Sequence, residues 1–281
     1  MLSILECSAW ERKKMQNNHT FFFAKTTAEL FYQLTSVSAL EVVGGCTSLE
    51  RMPQKAISVH GISDLASITM HERYIDCGPA VTLSDILSLA SARVPEALTE
   101  SVKSIANPFV RNIATLGGNI CAKGIRRTLY APLLALDARL ELKSSLDSVY
   151  VPLLNFTGIP HGSILSNIRI PLGDWDVTVF RRLGADRTIT ETSASFAFLA
   201  DNEKNMITNI KLAFSGAVTF RCIELENRLI GTRLPLAAKD ISLFMDTAAS
   251  QFDDAAKDVP YNPILRTQFI NLTRYSLEQL T

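Results

Sequence analysis

Two Gly-Gly pairs set the strictest condition on the fold. Gly44-Gly45 follows the apolar run Leu40-Glu41-Val42-Val43, and Gly117-Gly118 follows Thr115-Leu116. Glycines placed after a strand let the backbone turn tightly and present consecutive N–H groups, the makings of an anion-binding nest. Thr47, Ser48, Thr115 and Asn119 add side-chain donors beside them. Taken alone, each pair is also what an ordinary turn looks like. Neither has the spacing of a dinucleotide-binding G-x-G-x-x-G or of a P-loop with its lysine.

The surrounding pattern is α+β. Phe21 to Phe23 reads as a strand, Thr26 as a cap for a helix running to about Ser36, and Leu40 to Val43 as a second strand, a β-α-β unit that ends in the first glycine turn. Strands are also expected over Ala56 to Val59, Tyr74 to Gly78, Arg139 to Leu142 and Ile168 to Pro171. Helices are expected from Ser84 to about Ala92, Leu98 to Ala106 and Leu129 to Leu136. Beyond Trp175 apolar alternation continues over Val177 to Phe180, Ser193 to Leu199 and Ile207 to Phe214, and two helical stretches, Arg221 to Leu229 and Ile241 to Asp254, finish the chain. Three parts are expected: a polar lead-in over residues 1–20, a unit over 21–174 and a smaller α+β unit over 175–281.

Lys+Arg and Asp+Glu both count 28, which argues against nucleic acid or an anionic membrane as a partner recognised by bulk charge. The first residues are too short in apolar length, and carry Glu6 too early, for a signal peptide or a membrane span, so a cytoplasmic location is expected. Five cysteines lie scattered with no C-x-x-C pair, and the four histidines have no ligand spacing. Neither a disulfide framework nor a metal or iron–sulfur site is suggested.

The run Ile105-Ala106-Asn107-Pro108-Phe109-Val110-Arg111-Asn112-Ile113-Ala114-Thr115-Leu116-Gly117-Gly118-Asn119-Ile120 closely resembles the signature of the FAD-binding medium subunits of molybdopterin-dependent dehydrogenases, roughly I-A-x-P-x-x-R-N-x-A-T-x-G-G-N-[IL]. Ile75 to Leu83, Leu133 to Leu140 and the C-terminal stretch from Leu212 to Gly231 are similar to further segments of that family, which includes the flavoprotein subunits of xanthine and carbon monoxide dehydrogenases. The resemblance runs from about Phe21 to Gly231. It implies a two-lobed FAD-binding domain of the PCMH type that holds an extended FAD, followed by a smaller α+β C-terminal domain.

Carried over, the resemblance places Val43, Gly44, Gly45, Cys46, Thr47, Ser48 and Leu49 around the pyrophosphate. Thr115, Gly117, Gly118 and Asn119 would meet the pyrophosphate and ribityl side, Leu165 the adenine, and Arg181 would stand where the family has a lysine near the isoalloxazine. Arg111 is either a flavin contact or a structural tie for its loop. A buried Asn119 amide would need a partner that a flavin supplies. Cys46 and Cys121, which flank the pairs, read as small buried packing residues. The sequence departs from the family after Asn119: an aspartate that binds the ribityl chain is missing, and Lys123-Gly124-Ile125-Arg126-Arg127-Thr128 stands in its place, which should weaken flavin binding.

The function implied is electron transfer by a flavoprotein oxidoreductase subunit with no catalytic residues of its own. Electrons would come from iron–sulfur clusters on a 2Fe-2S small subunit, fed by a large subunit with the molybdenum cofactor, and pass to NAD or another acceptor. The competing reading is a non-catalytic assembly subunit that has lost stable flavin binding. A self-standing flavin oxidase would not require the dehydrogenase signature.

Overall fold

The computed structural model describes residues 19–89, 94–185 and 188–280. Up to residue 18 the expected lead-in lies outside the described residues, as does the end of the helix expected to reach Ala92.

The first layer is a small parallel sheet. β1 (Thr20–Phe23), β2 (Glu41–Val43) and β3 (Lys55–Ser58) pair in the order β1-β3-β2, so β3 separates the two strands expected to frame a β-α-β unit. Helix α1 (Thr27–Ser36) begins where Thr26 Oγ1 accepts a hydrogen bond from Glu29 N at 3.1 Å, satisfying one of the amides a helix start leaves orphaned. Its Leu30 is buried with Ile57, Val59 and Ile62. The chain leaves the carboxyl end of β2 through the first glycine pair and returns as β3. In open α/β sheets that end of the strands is where ligands sit.

A five-stranded antiparallel sheet follows: β4 (Ile68–Met70), β5 (Tyr74–Cys77), β6 (Arg139–Lys143), β7 (Ser148–Pro152) and β8 (Ile164–Pro171), in the order β4-β5-β8-β6-β7. Alternate residues Ile75, Cys77, Leu140, Ile168 and Ile170 form the inner face. Against it pack α2 (Leu83–Ser88), α3 (Glu96–Lys103) and α6 (Tyr130–Ala135), through Ile86, Leu98 and Leu133. On the outer face Arg169 lies between the rings of Tyr74 and Tyr150, at 4.0 and 4.8 Å, and binds both oxygens of Asp76 at 2.8 and 2.9 Å.

The third sheet, β9 (Val177–Leu183), β10 (Ala194–Glu203), β11 (Met206–Ser215) and β12 (Thr219–Arg221), is antiparallel in the order β12-β11-β10-β9. Its two faces serve different cores. Ala197, Leu199 and Ala213 join the core of the five-stranded sheet. Phe196, Phe198 and Phe214 point the other way, toward α8 (Ala238–Ala256) and α9 (Ile264–Glu278). There Phe252 and Phe269 stack at 4.6 Å with the ring of Phe214 edge-on to both. The helix expected over Arg221 to Leu229 is shorter: β12 runs through Arg221, and α7 covers only Ile223–Asn227.

One charged cluster joins the third sheet to α6. Arg221, 2% exposed, donates from Nη1 to Leu134 O and, at 2.7 Å, to Asp137 Oδ1. Its Nε and Nη2 donate to the equally buried Glu226 at 3.0 and 3.3 Å, and Glu226 also accepts from Leu212 N at 2.9 Å. Burial pushes the Asp137 carboxyl up, but hydrogen bonds and charge from Arg221 and Lys211 outweigh it and hold the group below the ordinary aspartate range.

Candidate functional site

The two glycine segments meet at the seam between the small parallel sheet and the helices of the five-stranded sheet. An added Cβ on Gly45 would collide with the carbonyl oxygen of Ile113 and lie 2.6 Å from its carbon. One on Gly44 would reach Thr115 Oγ1 at 2.7 Å. Glycine is required here for close approach of the two segments, not for a special φ. Cys46, next in sequence, does take a left-handed backbone, with φ 57°, and its Sγ donates to Gly44 O at 3.5 Å. Among the described residues the amides of Gly44, Gly45, Cys46, Thr47 and Ser48 have no acceptor, as an anion nest requires.

The second pair is not a turn. Two further helices lie here, α4 (Pro108–Arg111) and α5 (Leu116–Cys121), and Gly117-Gly118 falls in the opening turn of α5, with Thr115 as the cap. Thr115 Oγ1 accepts from Gly118 N at 3.1 Å, and Gly117 N donates to Pro79 O at 2.9 Å. A Cβ on Gly117 would meet the Pro79 side chain at 2.5 Å, so this glycine serves packing. The expectation of consecutive free amides therefore holds for the first segment and fails for the second, whose two glycine N–H groups are already bonded within the protein.

Two cavities open on either side of Thr115, which lines both. The first, about 590 Å³, is lined by Gly44, Gly117 and Gly118, by the apolar Leu34, Leu40, Leu65, Ile164 and Leu165, and by the basic Lys123 and Arg127. The second, about 580 Å³, is lined by Thr47, Ser48, Asn119, Thr128 and Arg182 together with Ile105, Val110 and Ile189. Volumes of this order suit small-molecule or cofactor sites. The first cavity is largely apolar and includes Gly44 with its unbonded amide, and the second is rich in hydroxyl and amide donors and includes Thr47 and Ser48. Such a surface can hold an extended ligand with an anionic centre and flat ends.

The expected residues fall into groups. Gly44, Thr115, Gly117, Gly118 and Leu165 line the first cavity, and Thr47, Ser48, Thr115 and Asn119 the second. Asn119 Oδ1 accepts from Leu129 N at 2.9 Å, so part of the amide also holds the following loop. Val43 is buried at the end of β2, Gly45 packs on Ile113, and Leu49 is 39% exposed; none of the three lines either cavity. Arg111 lines neither cavity; its Nη1 donates to the carbonyls of Lys103, Ile105 and Ala106, the structural tie. Arg181 is exposed on β9 and donates to Phe180 O, while its neighbour Arg182 reaches the second cavity. Alternation along a strand sends adjacent residues to opposite faces.

Cys46 and Cys121 are exposed, not the buried packing residues expected. Cys121 opens onto the first cavity, yet crowding by protein atoms pushes its thiol up to about 11 against a smaller opposing pull from Arg127. It is a protonated, weakly nucleophilic thiol at neutral pH. Also absent from the expectation was the loop from Phe156 to Ser163, which covers the first cavity. Its Gly158, Pro160 and Gly162 mark it as a loop, but nothing in sequence ties it to the glycine segments across the fold. Among the described residues no group of three His, Cys, Asp or Glu could hold a metal ion, and no helix is long and apolar enough to cross a membrane.

Comparison with known proteins gives a concordant result. Residues 14–173 match the family model described as the FAD binding domain in molybdopterin dehydrogenase. The glyceraldehyde dehydrogenase medium chain of Sulfolobus acidocaldarius is 27% identical over 192 residues, which cover 65% of this chain and 68% of the relative. The xanthine dehydrogenase FAD-binding subunit of Escherichia coli O157:H7 is 33% identical over 124 residues, 41% of this chain and 42% of the relative. The match to that subunit thus spans well under half its length. Among solved structures, the Cu,Mo-CO dehydrogenase in its cyanide-inactivated form superposes with a TM-score of 0.79 at 17% identity, over 93% of this chain and 97% of that chain. Quinoline 2-oxidoreductase from Pseudomonas putida 86 gives 0.74 at 16%, over 93% and 96%. At such identity these two speak to the fold.

Proposed function

Because this chain belongs to the family of FAD-binding domains of molybdopterin dehydrogenases, we propose that it is the flavoprotein subunit of a molybdenum-hydroxylase complex, receiving electrons from iron–sulfur clusters on a small partner subunit and passing them to NAD or another acceptor. On this reading residues 21–174 hold the cofactor, residues 175–281 form the C-terminal domain, and substrate oxidation belongs to a large partner subunit with the molybdenum cofactor.

The observation that carries the reading is the pair of cavities joined at Thr115. Their donor set fits FAD: unbonded amides of Gly44, Thr47 and Ser48 for the pyrophosphate, an apolar arm ending at Leu165 for adenine, and the side chains of Thr47, Ser48, Asn119 and Thr128 for the ribityl and ring side. Bound FAD supplies the chemistry that joins one-electron to two-electron partners. The chain's own residues position and shield it. Arg182, on the second cavity, places a permanent positive charge there, which favours negative charge on whatever the cavity holds. The carbonyls around Ile105 and Ala106 are fixed by Arg111, which keeps that wall rigid.

Flavin released by heat from freshly purified protein and separated by chromatography should be FAD, since two cavities flanking one set of amides suit a dinucleotide better than a mononucleotide. Recovery of FMN alone, or of no flavin after reconstitution, sinks the reading.

A specific observation also favours the assembly-subunit alternative: among the described residues no carboxylate lines the second cavity, and Thr128 stands on its wall. A carboxylate accepting from a ribityl hydroxyl contributes roughly 1.5–3 kcal/mol, so its lack should leave flavin well below one per protein. Thr128→Asp is accordingly expected to bind FAD about tenfold or more tightly than the parent in a titration of apo-protein. Equal binding would show that the missing carboxylate has no bearing on occupancy.

A further inference from the structure

We propose that Lys123 and Arg127 are the residues that neutralise the pyrophosphate of the bound dinucleotide in this chain, replacing amides that the second glycine segment cannot offer. The proposal rests on the FAD-binding reading above and adds to it which side chains hold the anionic centre and how the site responds to salt.

Gly117 and Gly118 line the first cavity, but their N–H groups are committed to Pro79 O and Thr115 Oγ1. On that side the backbone therefore contributes no free amide from either glycine. Lys123 and Arg127 line the same cavity. Among the described residues neither forms an ion pair with a carboxylate, and Lys123 has no hydrogen-bond partner. Arg127 is held in place without losing its charge: its Nε donates to Ala122 O, and its guanidinium lies 4.9 Å from the centre of the Tyr130 ring. The lining holds a single carboxylate, Glu41 on β2, so two basic side chains face one acidic side chain. Unpaired cations beside amides that lack acceptors are the chemistry of a diphosphate site. Arginine recognises phosphate with a rigid fork of donors, and lysine acts as a point charge. Because the same stretch lacks the ribityl carboxylate, affinity is shifted from the flavin end of the ligand toward its middle.

The test is equilibrium titration of the full-length apo-protein with FAD, followed by quenching of flavin fluorescence, at 50 and 500 mM NaCl. Riboflavin, which has no phosphate, is the control ligand. The parent should bind FAD about tenfold more weakly at the higher salt, since exposed charges more than a few ångströms apart are strongly screened there. Lys123→Gln should weaken FAD binding about five- to tenfold at low salt, Arg127→Gln about tenfold, and the double variant should be nearly salt-insensitive. Arg127→Lys should recover part of the loss. Riboflavin binding should not change in any of them.

Lys123→Gln decides the matter even if Arg127→Gln disturbs the loop through Ala122 and Tyr130, because among the described residues the Lys123 side chain makes no hydrogen bond or ion pair. A parent that binds FAD, with Lys123→Gln and salt each altering the Kd by less than twofold, overturns this inference and leaves the functional reading intact. A parent that binds no FAD at either salt overturns both. Weakening of riboflavin to the same degree as FAD also overturns the inference, since it would show a general distortion of the site.

Discussion

A Gly45→Val chain is expected to retain no FAD and to unfold well below the parent. The Cβ it introduces falls on the Ile113 carbonyl, a backbone group with no rotamer to yield, so one of the two segments must move. Overpacking of this kind costs roughly 3 kcal/mol or more, which for a chain of this size corresponds to roughly 5–10 °C in Tm. Either shift changes the seam beside the free amides of Gly44, Thr47 and Ser48, so stability and binding should fail together. Gly118→Ala separates the two effects. Its Cβ meets only Thr115 Oγ1, at 2.8 Å, and a side chain can rotate away, so that variant should fold while losing part of its FAD affinity with the cap. Thermal unfolding and flavin titration on both variants check the pair of expectations. If Gly45→Val melts with the parent, the close approach at the seam is wrong.

Arg221→Met is expected to cost about 3–5 kcal/mol, because it leaves the carboxylate of Glu226 buried and partnered only by Leu212 N. It also removes the donor to Leu134 O and Asp137 at the end of α6, where Lys211 of β11 still pairs with Asp137 at 2.9 Å. The urea midpoint should fall accordingly in one transition, because Ala197, Leu199 and Ala213 keep the third sheet in the core of the five-stranded sheet. Arg221→Met with Glu226→Leu should recover much of the loss, since replacing both partners of a buried pair by apolar groups is often close to neutral. Asp137→Asn should cost far less: its side chain is 51% exposed and water takes over part of the role. A single transition within 1 kcal/mol of the parent for Arg221→Met would show that the cluster contributes little.

Local signals were legible in the sequence, and those that depend on distant pairing were not. Thr26 declares its helix because a capping hydroxyl three residues before Glu29 is a local event. Thr115 makes the same kind of cap, yet Gly117-Gly118 masks it, since two glycines in a first helical turn read as a loop. The order β1-β3-β2 was not readable: three short apolar runs give no hint which of them is central. Helix α9 escaped because polar Arg266, Gln268, Asn271 and Arg274 dilute its apolar stripe of Leu265, Phe269 and Leu277. Within the site, the signature run pointed to Thr115, Gly117, Gly118 and Asn119, which line the cavities. It named Arg181 where Arg182 reaches the cavity, because strand direction is not local in sequence, and it left Arg111 open because the carbonyls that Arg111 ties at the end of α3 could not be foreseen.

Thr115 takes part in three of the contacts at the seam. Its hydroxyl caps α5, its backbone bridges Thr82, and its side chain is what Gly44 must leave room for. A ligand spanning both cavities would therefore rivet the small parallel sheet to the larger body at the same place where the polypeptide itself does. Cofactor loading and lobe docking then become one linked equilibrium: at a hundred times Kd, free ligand adds roughly 2.7 kcal/mol to whatever holds the lobes together. Apo-protein should accordingly be cut faster by added protease than the FAD-loaded chain.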